Sequence, residues 1–127
     1  MVIDASAIVA ILEGEPDEDR FKQAIGAAQV RIMAPINLLE ARIVAARRGV
    51  VGVQRLDELI AKSLIDVVPT DAAQLAAARM AFDRYGKGRH PAGLNIADCF
   101  AYALARTSGE ALLFKGRDFA LTDVLVA

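Results

Sequence analysis

A chain of 127 residues has room for one domain with one buried core. Its hydrophobic fraction of 55% excludes a disordered chain, and its net charge of −1 excludes a broad polycationic grip on nucleic acid, so any such binding must come from a local basic patch or a metal site. The single cysteine, Cys99, excludes an internal disulfide; no uncharged apolar run reaches the roughly 20 residues that span a bilayer, and no basic segment precedes an apolar one at the N-terminus, so a cytoplasmic protein is expected.

In chain order, Val2 to Ala5 reads as a short buried strand, with Ser6 as cap of a helix over Ala7 to Leu12. Gly14 to Asp19 ends that helix and opens another, where Pro16 and the acids suit a first turn; Phe21, Ala24, Ile25 and Ala28 form its apolar stripe. Val30 to Ala34 is a second strand. Pro35 opens a helix through Arg48, with Ile36, Leu39, Ile43, Val44 and Ala46 as its apolar positions and Gly49 as its stop. Val53 to Ser63 is a further amphipathic helix and Ile65 to Val68 a strand. Asp71 with Gln74 resembles a capping box for a helix ending at Tyr85. Gly86 to Gly93 is a loop, Asn95 to Thr107 a helix, Ala111 to Phe114 the last strand, and Lys115 to Phe119 a turn. Short apolar strands alternating with helices imply parallel βαβ units, hence a three-layer α/β/α domain over residues 1–127 with a central, mostly parallel sheet flanked by helices. Ligands of such sheets bind beyond the carboxyl ends of the strands.

Of the 16 acidic residues, most have an ordinary place: helix starts, polar helix faces, caps and turns. Four do not. Asp4 follows a buried strand, Glu40 lies among apolar neighbours with Ile36 and Ile43 expected on the packed side, Asp98 sits one turn from both Asn95 and Tyr102, and Asp118 follows the last strand. Helices that start at the carboxyl edge of the sheet would bring these acids together. Clustered carboxylates repel one another, and two solutions are open: buried salt bridges or a divalent cation. Ligation by carboxylates alone, without a His or Cys set, favours Mg²⁺ or Mn²⁺ over zinc.

Met-Val-Ile-Asp4-Ala-Ser6-Ala, Leu-Leu-Glu40, Gly-Leu-Asn95-Ile-Ala-Asp98-Cys and Leu-Leu-Phe-Lys-Gly-Arg-Asp118-Phe together resemble a PIN-domain ribonuclease, and more closely a VapC toxin of a type II toxin–antitoxin pair. The likeness extends to the Tyr-Gly-Lys-Gly-Arg-His90 loop and to Thr122-Asp123, so it covers essentially the whole chain. It implies a parallel sheet flanked by helices and an active site of Asp4, Glu40 and Asp98 with Asp118 as a fourth acid. Ser6 matches a hydroxyl residue that orients the first Asp or a metal-bound water, and Asn95 a polar residue just before the third acid. Arg117 stands where relatives often carry an acid, which removes any extra carboxylate from that turn.

The resemblance implies a toxic Mg²⁺-dependent endoribonuclease (Mn²⁺ serving in its place), a VapB-type antitoxin that blocks the acids, a homodimer, and a tRNA or ribosomal RNA substrate. Asp4 and Asp98 would be the direct metal ligands, and Glu40 and Asp118 would act through water or position the nucleophile.

Lys87, Arg89 and His90, with Arg84, form a basic loop able to hold RNA phosphates or simply to face solvent, and Lys115 and Arg117, which flank Asp118, either touch phosphate or soften the acidic cluster. Tyr85 is a candidate for base stacking or for packing, while Cys99, Phe100 and Tyr102 are read as core. Two other readings are carried: another Mg²⁺ enzyme of phosphoryl transfer, although Asp4-Ala-Ser6 lacks the second acid of an Asp-x-Asp phosphatase, and a non-catalytic module whose acids bind a partner's basic segment.

Overall fold

The computed structural model describes all residues, 1–127. Its sheet is formed by four strands, β1 (Val2–Ile3), β2 (Ile32–Met33), β3 (Asp66–Val67) and β4 (Leu112–Leu113), in the order β3-β2-β1-β4. Every pairing is parallel, with Val2 against Ile32 and Leu112, and Ile32 against Asp66. The three-layer architecture expected from the alternation of elements is the one observed.

Side chains alternate across the sheet, and this separates two cores. Val2 and Leu112 face α5 (Ala72–Tyr85) and α6 (Ile96–Ser108) through Ala78, Ala81, Tyr85, Cys99 and Tyr102. Ile3, Met33 and Leu113 face α1 (Ala5–Leu12), α2 (Glu18–Ala27), α3 (Pro35–Ala46) and α4 (Gly49–Lys62) through Ile8, Phe21, Ile25, Ala41 and Leu56. Both faces are covered at the centre of the sheet, so β1 and β4 read as apolar runs, whereas the edge strand β3 is exposed and carries Asp66.

Several local expectations need correction. Ser6 is not the cap of α1. Asp4 is, accepting from the Ser6 backbone N–H at 2.9 Å. α3 ends at Ala46, before Gly49 as expected, but the helical run resumes at once at that glycine. Gly49 takes φ +68° at the joint and α4 starts there, not at Val53. Gly52 then packs so close to α3 that a Cβ would lie 2.2 Å from the Ala45 carbonyl oxygen. Asp71 caps α5 at Gln74 N–H, but the Gln74 side chain donates to the Pro69 carbonyl and not back to the cap. The reciprocal capping box is at α6, between Asn95 and Asp98.

The apolar phase of α3 also differs. Its buried side is Asn37, Ala41 and Ala45, whereas Leu39 and Ile43 are 55% and 57% exposed. Small residues let α3 lie close to its neighbours, so the larger aliphatics turn outward.

The C-terminal segment is tied on by hydrogen bonds between Leu112 and Leu125 and between Ala127 and Leu112, and by Tyr102, whose hydroxyl donates to Asp123 at 2.6 Å. Tyr102 is wholly buried, so its hydroxyl depends on that partner. Tyr102→Phe should cost about 1 kcal/mol in urea denaturation, and Asp123→Ala more, because it leaves the buried hydroxyl unpaired.

Candidate active site

The four acids come from four elements and meet at the carboxyl edge of the sheet. Asp4 continues β1, its backbone N–H donating to Leu113 at 2.9 Å. Glu40 is on the second turn of α3, Asp98 in the first turn of α6, and Asp118 just before a 3₁₀ turn at Phe119–Leu121. One cleft of about 250 Å³ is lined by Asp4, Ser6, Glu40, Asn95, Asp98 and Asp118, with Lys115 at its margin.

Asp4 is 3% exposed, yet its carboxylate meets no cation. Instead Oδ2 accepts from the Ser6 N–H at 2.9 Å and the Ser6 hydroxyl at 2.5 Å, and Oδ1 accepts from Asn37 Nδ2 at 2.9 Å. Ser6 in turn accepts from the Lys115 backbone N–H at 2.9 Å, which fixes the end of β4 to the start of α1. Burial pushes the Asp4 carboxyl above its ordinary value even though these donors, Ser6 first, pull it down. Glu40 is raised by burial and then by the charges of Asp4 and Asp98. Asp98 is raised to about 6, chiefly by burial, with Asp4 and Asp118 adding to it against a backbone donor at Asn95. The carboxyl groups therefore feel one another as well as sharing a cleft. None of the four forms a salt bridge, so the alternative of buried ion pairs does not describe this site.

Asn95 is an N-cap: its side chain accepts from Asp98 N–H at 2.9 Å, and Asp98 Oδ2 accepts from Asn95 N–H at 2.8 Å. That exchange fixes the carboxyl of Asp98 at the positive end of α6. Of the basic candidates only Lys115 lines the cleft, and its ammonium pairs with Glu15 and, at 3.7 Å, with Asp17. The acids of the α1–α2 connection thus hold Lys115, a role their composition had not suggested. Arg89 stacks over Phe82 and lies 3.9 Å from Asp83, and His90 Nδ1 accepts from Ala92 N–H while its ring sits edge-on to Tyr85. Lys87 is exposed without an ion pair. Lys87, Arg89 and His90 are all outside the cleft lining. Tyr85 is 4% exposed, which makes it a packing residue and not a stacking platform. Cys99 is buried, with its thiol pushed up to about 11 by burial and by Asp98, so it stays neutral and inert.

Asn37 was not singled out in the sequence. It is wholly buried beside Asp4, and the signal that could have found it is its place on the small-residue stripe Ala34, Ala41 and Ala45, the true inner face of α3.

Residues 1–125 match the PIN domain family. The chain is 50% identical over 125 residues to ribonuclease VapC30 of Mycobacterium tuberculosis, covering 98% of this chain and 95% of that one. Its fold superposes on the crystal structure of M. tuberculosis VapC20, described as a sarcin-ricin loop cleaving toxin, with TM-score 0.78 at 15% identity, covering 99% and 97% of the two chains. It is also similar to a toxin–antitoxin complex from Klebsiella pneumoniae, with TM-score 0.74 at 18% identity over 99% and 95%. The chain belongs to the PIN-domain family, in its VapC ribonuclease branch.

Proposed function

We propose that the chain is a toxic endoribonuclease, one PIN domain throughout, that hydrolyses RNA phosphodiester bonds at the Asp4, Glu40, Asp98 and Asp118 cleft with a divalent cation, Mg²⁺ or Mn²⁺. The observation that carries this reading is the cleft itself: four carboxylates without a single cationic partner. The donor set fits a hard cation in charge and in chemistry. No group of three His, Cys, Asp or Glu side chains is close enough to ligate on its own. Mg²⁺ keeps several waters and takes only one or two carboxylates directly, and Asp4 and Asp98 would be those ligands.

When bound, one or two such ions would supply charge relief on the phosphate and a more acidic water. The protein's own groups do the rest. Ser6 fixes Asp4, and Asn95 fixes Asp98. Glu40, raised above its ordinary value, would accept a proton from the attacking water as its oxygen bonds to phosphorus, and the sugar oxygen released as its bond to phosphorus breaks would take a proton from a second water. Asp118, the most open of the four, would position the incoming water or phosphate.

A VapB-type antitoxin is the proposed partner. Leu39 and Ile43 stand exposed beside Glu40, an apolar rim on which a partner segment would seat, and an Arg from it would supply the missing positive charge. Leu75, Phe82 and Ile96, exposed along the groove between α5 and α6, support a homodimer. No helix is long and apolar enough to cross a membrane.

The test is incubation of antitoxin-free protein with tRNA and ribosomal RNA. Cleavage should require Mg²⁺ or Mn²⁺, stop with EDTA, and be lost in Asp4→Asn. Cleavage that persists in EDTA, or an Asp4→Asn variant that cuts as wild type does, overturns the reading.

A further inference from the structure

We propose that Asn37 is a positioning residue whose side-chain amide sets the spacing of the three elements that carry Asp4, Glu40 and Asp98. Its Nδ2 donates to Asp4 Oδ1 at 2.9 Å and to the Ala97 carbonyl at 3.2 Å. Ala97 immediately precedes Asp98 at the start of α6, and Glu40 lies one turn beyond Asn37 on α3. One amide nitrogen therefore joins the end of β1, the acid-bearing face of α3 and the first turn of α6. Together with Ser6 on Oδ2, it grips the Asp4 carboxylate at both oxygens and fixes the plane of the group.

Two observations set this apart from packing. Asn37 is 0% exposed, and its Oδ1 has no hydrogen-bond partner. A buried acceptor without a partner destabilises the fold. The rest of that helix face is alanine, which would avoid the cost. The amide cannot turn over to relieve it, because both of its contacts, Asp4 Oδ1 and the Ala97 oxygen, are acceptors. The position thus sacrifices stability to hold a donor against Asp4. A residue that orients a metal-ligating group is worth about 10–100-fold in affinity or activity.

The inference rests on the metal reading above, and its test separates the two. Mn²⁺ binding is followed by electron paramagnetic resonance of the free ion, at a temperature where every variant is folded. Asn37→Leu, which keeps the branched shape and removes both donors, should weaken Mn²⁺ binding about tenfold or more and slow RNA cleavage with it. Asn37→Ser, a smaller side chain with one donor, should fall between Leu and wild type, and it carries the test if the Leu variant does not fold. Ile25→Ala, a core truncation on α2 outside the cleft lining, should lose stability yet bind Mn²⁺ as wild type does. Wild-type affinity in both Asn37 variants, or an equal loss in Ile25→Ala, overturns the positioning role alone. Failure of the wild-type protein to bind Mn²⁺ overturns the metal reading, and this inference with it.

Discussion

Asp98→Asn is expected to make the metal-free protein more stable and to lower RNA cleavage by about 10²–10³-fold. The two effects have one cause. The Asp98 carboxyl is raised from its ordinary 3.8 to about 6, first by burial and then by Asp4 and Asp118, so its ionised form is disfavoured in the fold at neutral pH. An amide of the same shape removes that penalty and keeps an oxygen to accept from Asn95 N–H. Some charge–dipole gain at the α6 N-terminus is lost, about 0.3–1 kcal/mol. After a discount for partial exposure, the net gain is on the order of 1 kcal/mol, or a few degrees in melting temperature. Calorimetry in EDTA checks the stability, and a cleavage assay with Mg²⁺ checks the activity. A variant that is both less stable and active would contradict the account.

The second large effect is with pH. Because the folded carboxyl of Asp98 holds its proton up to about 6 while the unfolded one releases it near 3.8, the folded state binds more protons through that window. Metal-free stability must therefore fall as pH rises from about 4 to about 6 and stay low above it. Asp4 and Glu40, raised in the same direction, deepen the trend. Cleavage should run the opposite way, because a cation needs the ionised carboxylates: it should drop at least about tenfold per pH unit below 6. Urea denaturation in EDTA and initial cleavage rates at a fixed, subsaturating Mg²⁺ concentration, where the cation and the proton compete for the free carboxyls, both measured from pH 4.5 to 8, give the two curves. Curves that rise together would show that these acids do not govern the site.

Much of this was legible in the sequence, for physical reasons that differ from residue to residue. Asp4 stood out because a carboxylate after a short apolar strand has no ordinary place, and strand ends converge in a parallel sheet. Asp98 stood out through its spacing from Asn95, which proved to be the capping box. The phase of α3 was not legible. Its outward Leu39 and Ile43 have the hydropathy of core residues, and its true inner face of Ala41, Ala45 and Asn37 looks bland or polar. Periodicity finds large apolar residues, whereas close helix contacts select small ones. For the same reason Asn37 was invisible: its importance lies in contacts 33 and 60 residues away in the chain. The pairing of Lys115 with Glu15 and Asp17 is long-range in the same sense, and it turns a candidate phosphate contact into an internal ion pair.

The most direct test of the central claim, that the four carboxylates form a divalent cation site, is the melting temperature as a function of Mg²⁺ at constant ionic strength and pH 7.5. Mass action predicts about 2.7 kcal/mol of added stability at a hundred times the dissociation constant. The wild-type protein should show that rise, and Asp4→Asn and Asp98→Asn should be nearly flat. A flat wild-type curve, or an equal rise in both variants, would contradict it.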